Sequence, residues 1–316
     1  MNSSPLRTLR QRLHSETPQI RRAALTQLDE NFERVSVPAA DLLPFLHDED
    51  SSHRWLAIHL LAKIGDVAAL PPLLAATLDP DEAVAEAARD ALAAFRSPDA
   101  LDAFIHGAGQ LQPGIRALAV AALGEIGHPR AVPILLHTCG DLANAVRAAA
   151  ITALGRLRDQ RALGAIRWGL YDDASLVRRA AVAAGASFPD PTLPENLVRL
   201  LDDPSLSVRS EVAAVLVRFP GQTSIGLLLH FLHDAEPAVV RIALQSLCAL
   251  RAPVAEHFTP LLEHSLPEIR FAAQAALRHV GFHPRTAPTI PACDSRSPFA
   301  ASSLDTNRIE YWPEAV

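Results

Sequence analysis

The amino-acid sequence predicts an all-α protein, a superhelical stack of about nine helix pairs (an α-solenoid), and three regularities carry that expectation. A leucine recurs at Leu28, Leu61, Leu92, Leu123, Leu154, Leu216, Leu247 and Leu277, in steps of 33, 31, 31, 31, 62, 31 and 30 residues. The double step skips one period, and Gly185 holds the vacant slot. Seven positions ahead of this column stands an arginine in seven of nine units: Arg21, Arg54, Arg116, Arg147, Arg178, Arg209 and Arg270, with Ala85 and Val240 as the exceptions. Six positions ahead of the arginine comes an aspartate at Asp48, Asp79, Asp141, Asp172, Asp203 and Asp234. Units this short bury their apolar faces on one another, so the product is a long surface rather than a pocket.

Each unit reads as helix A, an aspartate-bearing turn, helix B and a short link. Helix B follows from the segment 177–184 and its relatives. An apolar residue precedes the arginine (Ile20, Ile115, Val146, Val177, Val208, Ile269), and small or apolar residues follow three, seven and ten positions on, as in Ala119, Leu123 and Ile126. That spacing gives a helix with one buried stripe. The aspartate is expected to cap helix B through backbone N–H groups, and Pro80 and Pro204 suit the turn. Helix A is short and apolar, as in residues 131–136 and 197–201. Pro71 and Pro133 fit first turns, and Gly65 and Gly127 fit C-terminal caps.

The units depart from the pattern in order along the chain. Unit one has Ser15 in place of the aspartate and Asn31 at its helix end, as a terminal cap should. Unit three lacks the arginine, and unit four has Gln110 for the aspartate with Pro113-Gly114 in its turn. Unit six has Gly185, followed by Pro189, Pro191 and Pro194. These are the places where the stack is expected to bend or loosen. The period stops after Gly281, so the chain divides into a solenoid over residues 1–282 and a Pro/Ser-rich tail over 283–316, expected to be disordered.

Composition narrows the function. Hydrophobic residues make up 49% and aromatic ones 5%, and the net charge of −6 does not mark a nucleic-acid or anionic-membrane binder. Of 29 basic residues only Lys63 is lysine. The three cysteines, Cys139, Cys248 and Cys293, have neither disulfide-framework nor zinc spacing and suit a reducing compartment. No secretory leader or membrane-length apolar run is present, so a cytoplasmic protein is expected.

The pattern resembles HEAT repeats, most closely the short variety known from phycobilisome lyases. The resemblance is carried by Asp-x5-Arg-x6-Leu (Asp48/Arg54/Leu61 and Asp141/Arg147/Leu154) and by Val-Pro-Ile-Leu-Leu at 132–136, and it spans roughly residues 5–282. It implies an armadillo-like stack in which aspartates and arginines link neighbouring turns: Asp48, Arg54, Asp141, Arg147, Asp172, Arg178, Asp203 and Arg209. It also implies that the second helices line the hollow side.

No catalytic residue, metal site or cofactor is expected. The iron ligands of HEAT-like hydroxylases of the deoxyhypusine type resemble repeated His-Glu pairs, and none of the thirteen histidines here precedes a glutamate. His47-Asp48 and His233-Asp234 sit six units apart, about 50–60 Å in an open stack, whereas metal ligands converge within about 2 Å of one ion. There is no GxSxG, P-loop or GxGxxG. HEAT-like glycosylases would need a basic, aromatic inner face.

The inner positions instead form a polarised surface. Early units contribute Arg22, Asp29, Glu30, Trp55, His59, Glu86, Asp90 and Glu125. Middle units contribute Ala117, Ala121, Ala148, Thr152 and Ala183, expected as a smooth floor. Later units contribute Arg156, Arg179, Arg218, Arg241, Arg278 and Phe271. A protein or peptide segment of opposite polarity is expected along it, with Trp55 and Phe271 as anchors. In the tail, Ile309, Tyr311 and Trp312 form a candidate docking segment. The function expected is a non-enzymatic scaffold or adaptor. The alternatives are a tetrapyrrole-lyase-like or protein-modification factor and, disfavoured by the missing His-Glu pairs, a HEAT-type oxidoreductase.

Overall fold

A computed structural model describes residues 5–32 and 37–281, which contain helices and turns and no strand. Unit one is α1 (Pro5–Leu13) and α2 (Pro18–Glu30), and unit two joins a 3-10 segment, Leu43–His47, to α3 (Ser51–Ile64). Four regular pairs follow: α4 (Leu70–Ala76) with α5 (Glu82–Ala93), α6 (Leu101–Gly107) with α7 (Pro113–Ile126), α8 (Val132–Thr138) with α9 (Asn144–Leu157), and α10 (Leu163–Gly169) with α11 (Ser175–Gly185). The last three units are α12 (Leu193–Leu197) with α13 (Leu206–Val215), α14 (Gln222–His230) with α15 (Pro237–Ala249), and a 3-10 segment, Pro260–Glu263, with α16 (Pro267–His279).

The links start helix A by a fixed device. Asp66 and Asp159 each accept the N–H two residues on, and His128 does so through its ring nitrogen, opening a 3-10 turn that runs into α4, α10 and α8. Pro71 and Pro133 occupy first turns, where a missing N–H costs nothing. Gly65 and Gly127 end α3 and α7 at φ 69°, a left-handed conformation natural to glycine. Arg158 adopts the same conformation at φ 53° to end α9.

The leucine column is the core. Its eight members are at most 5% exposed, within a single buried cluster that runs through every unit. Burying one such side chain contributes about 1.5–3 kcal/mol, so the repeated stripe is the main force holding helix to helix. The empty slot at Gly185 is filled from the next unit, where Leu193 lies so close that a Cβ would meet it at 3.0 Å. Unit six is therefore closed at this point, contrary to the loosening its glycine and prolines suggest.

The aspartates do not cap helix B directly. Each accepts the N–H of the residue two places on, which is itself the residue preceding the helix: Asp50, Asp81, Ala143, Ala174, Ser205 and Glu236. A turn of this kind forms locally from an Asx side chain and fixes the corner between the two helices. Where a helix cap is made, a second aspartate makes it, Asp50 to Ser52 and Asp81 to Ala83.

The carboxylates face the preceding unit. Arg54 holds both oxygens of Asp79 at 2.7 and 2.8 Å, and Arg116–Asp141, Arg147–Asp172, Arg178–Asp203 and Arg209–Asp234 repeat that two-pronged geometry. Arg21 meets Asp48 at 3.0 Å. The remaining guanidinium nitrogen donates to carbonyls of the arginine's own turn, as Arg54 does to Asp48 and Glu49. Six such rungs cross the stack, and they are missing between units three and four and between units eight and nine.

Candidate protein-interaction face

Helix B presents one stripe to the core and the opposite stripe outward, so residues one, five and nine places after the arginine column largely share an open face, whereas the eighth is buried at Gly124, Gly155 and Cys248. On α3 the Trp55 indole is 41% exposed and stacks on His59, with ring centroids 5.4 Å apart and planes 10° from parallel. His59 lies 3.7 Å from Asp29, which also holds Lys63 at 2.7 Å. Across from Trp55, α5 carries Glu86 and Asp90, one turn apart and both exposed. Neither has a hydrogen-bond or ion-pair partner among the described residues. Trp55, His59, Glu86 and Asp90 together line one shallow hollow of about 400 Å³, floored by Ala62, Ala83, Ala87, Ala91 and Ala94.

The other predicted residues are spread along the stack and line no common hollow. Glu125 on α7 is shared by Arg96, at 3.6 Å, and Arg156 on α9. That pairing neutralises the centre of the face, where the acidic and basic series meet. Arg179 on α11 and Arg241 on α15 are exposed and unpaired among the described residues, whereas Arg218 donates to the Ala186 carbonyl at 3.2 Å. Phe271 on α16 is 63% exposed. Ile309, Tyr311 and Trp312 lie outside the described residues.

The expected alanine floor needs correction. Ala121, Thr152 and Ala183 are exposed, but Ala148 is buried. The small residues let helices approach one another instead. A Cβ on Gly124 would sit 2.7 Å from the Ala153 Cβ, and one on Gly155 would sit 2.7 Å from the Ala184 Cβ. Helices α7, α9 and α11 therefore pack along much of their length, while α5 and α7 meet at only a few residues.

Several features were not singled out from the sequence. His53 on α3 is fully buried, its Nδ1 3.0 Å from Asp48 and its Nε2 without a hydrogen-bond partner, 3.9 Å from the Asp50 carboxylate. Leu111 and Leu142, each directly after the acid position of its turn, are 91% and 100% exposed; their recurrence in consecutive units was a readable signal. At the end of α10 Trp168 is 77% exposed, and Arg199 sits 4.0 Å above the Tyr171 ring. A second hollow, of about 370 Å³, lies among Phe188, Pro189, Pro191, Pro194 and Phe219.

Burial pushes the Cys139 and Cys248 thiols up to about 11, so both stay protonated at neutral pH and neither is a ready nucleophile. No group of three or more metal-ligating side chains occurs among the described residues. None of the helices described is long and apolar enough to cross a membrane.

The family model for HEAT repeats matches in overlapping windows from residue 6 to residue 248: 6–93, 39–110, 71–143, 101–186, 140–217 and 165–248. The chain belongs to the HEAT-repeat family. No curated protein sequence matches it. Among solved structures it is similar to Kap95p in complex with RanGDP, at 16% identity over 87% of this chain and 46% of that one, with a TM-score of 0.61. It is similar to importin beta at 16% identity over the same shares, with a TM-score of 0.54, so it spans about half the length of either protein. The complex of CpcE and CpcF of phycocyanin lyase from Nostoc sp. PCC7120 matches at 20% identity over 78% of this chain and 96% of that one, with a TM-score of 0.41. Identities this low speak to the fold alone.

Proposed function

We propose that this helical-repeat scaffold is non-enzymatic and holds another protein, or a peptide segment of one, along its helix-B face. The observation that carries the reading is the set of side chains left unpartnered there, acidic at one end and basic at the other. Exposed Trp55 and Phe271 stand near the two ends, and aromatic anchors of this kind dominate the energy of protein interfaces. The Kap95p structure, in which a protein of similar fold binds RanGDP, is consistent with such a use of the architecture.

The test is affinity capture of a native partner from host extract by the wild-type chain and by Arg179→Glu/Arg241→Glu. Arg218 is left intact because it braces the Ala186 carbonyl. Loss of the captured partner with an unchanged far-UV spectrum is expected. Capture that ignores both substitutions would overturn the reading, as would purified protein that carries a chromophore or iron.

A further inference from the structure

The hollow between α3 and α5 has properties that narrow its occupant. Its floor is apolar, made of five alanines, and its walls are an indole on one side and two carboxylates on the other. The carboxylates of Glu86 and Asp90 stand one helical turn apart, so they repel each other and gain when a cation lies between them. Acids nearby are already occupied: Asp29 by Lys63, Glu82 by Arg89, and Glu125 by Arg156. Glu86 and Asp90 are the pair left open. Trp55 is held in place by its stack on His59, and an indole attracts a cation over its face.

Resting on the scaffold reading above, we propose that this hollow seats an extended basic segment of a partner protein, with an arginine or lysine side chain between the Trp55 ring and the Glu86 and Asp90 carboxylates. Length favours a peptide over a lone amine. Trp55 also walls an adjoining hollow, lined by Arg22, Thr26, Ser52, Leu56 and Asp81, so the groove continues past the indole. An apolar floor suits the aliphatic stem of the cationic side chain, whose charged end reaches the carboxylates. Phosphates of a nucleic acid or an anionic lipid surface would meet the same two carboxylates and be repelled.

The probe is a short fluorescein-labelled peptide alternating arginine with alanine, titrated against the full chain by anisotropy, beside a control with glutamate for arginine. The basic peptide binds, its affinity falls with salt, and the acidic control stays free. Trp55→Ala and Glu86→Gln/Asp90→Asn each weaken binding by roughly tenfold or more. Asp202→Asn, an exposed acid on the turn edge of unit seven, leaves it unchanged, and far-UV spectra report that each variant is folded. Absence of binding, equal binding by Glu86→Gln/Asp90→Asn, or an equal loss in Asp202→Asn overturns the proposal. The scaffold reading is judged apart, because it depends on capture through Arg179 and Arg241. A chain that still captures its native partner through those arginines while ignoring the basic peptide refutes the hollow and leaves the scaffold standing.

Discussion

At each joint where an arginine is missing, the acid it would face is missing too. Ala85 is followed in the next unit by Gln110, and Val240 is followed by His264. A partly buried carboxylate or guanidinium without its partner costs several kcal/mol, which accounts for joint loss. Where both are present, every oxygen and donor is used: two prongs across the joint, one nitrogen on local carbonyls, and a backbone N–H on the carboxylate. For Asp79 and Asp141 the arginine hydrogen bond is the main cause that holds the carboxyl below its ordinary value of 3.8. For Asp48, Asp172, Asp203 and Asp234 burial raises the value, and hydrogen bonds and neighbouring positive charge together outweigh it. A carboxyl that ionises more readily folded than unfolded adds stability above its unfolded value and loses it as pH falls through its folded value. The thermal midpoint should therefore hold down to about pH 5 and decline below about pH 4. Arg147→Ala/Asp172→Ala should cost about 1.5–3 kcal/mol at pH 7 and show a smaller acid decline. Equal declines in both proteins would exclude the rungs as its source.

Helix spacing in the middle of the stack rests on two glycines. Gly155→Ala would gain up to about 1 kcal/mol in helix propensity, but its Cβ meets the Ala184 Cα at 2.9 Å, backbone that cannot step aside. Overpacking of this kind costs about 1–3 kcal/mol, so net destabilisation is expected. Gly164→Ala on α10, where nothing lies within 4 Å, should instead stabilise by about 0.5–1 kcal/mol. Denaturant unfolding followed by circular dichroism checks both, and matching signs would discredit the close-approach account. These contacts also mark the reach of sequence reasoning. Leucine periodicity located the buried stripe, because a stripe is a property of one helix. The fate of Ala148, Gly155 and Gly185 depends on how near the neighbouring helix comes, and no single helix encodes that distance. The outward face was likewise readable from spacing, whereas the convergence of Trp55, Glu86 and Asp90 required two helices to be placed.

Taken as a stack, the molecule has unequal joints. Between units three and four the A side is tight, with Gly107 close enough to Leu74 that a Cβ would meet it at 2.9 Å. The B side lacks a rung, and α5 touches α7 at few residues. Opening there breaks fewer contacts than between units five and six, where Arg147–Asp172 and the Gly155–Ala184 approach both act. Deuterium exchange should accordingly be faster in the second half of α5 than in that of α9. Uniform protection along the stack would show that the missing rung has no mechanical effect. Glycine and proline flagged unit six equally in the sequence, yet Leu193 and the Arg178–Asp203 pair close it.

Arg270 has a different consequence. Its guanidinium donates to the His264 and Ser265 carbonyls, and no carboxylate stands opposite it among the described residues. The donor fork of a further joint is thus already oriented. A helix pair grafted beyond α16, bearing an aspartate at the matching corner, would find its docking contact prepared and would lengthen the recognition surface by one module.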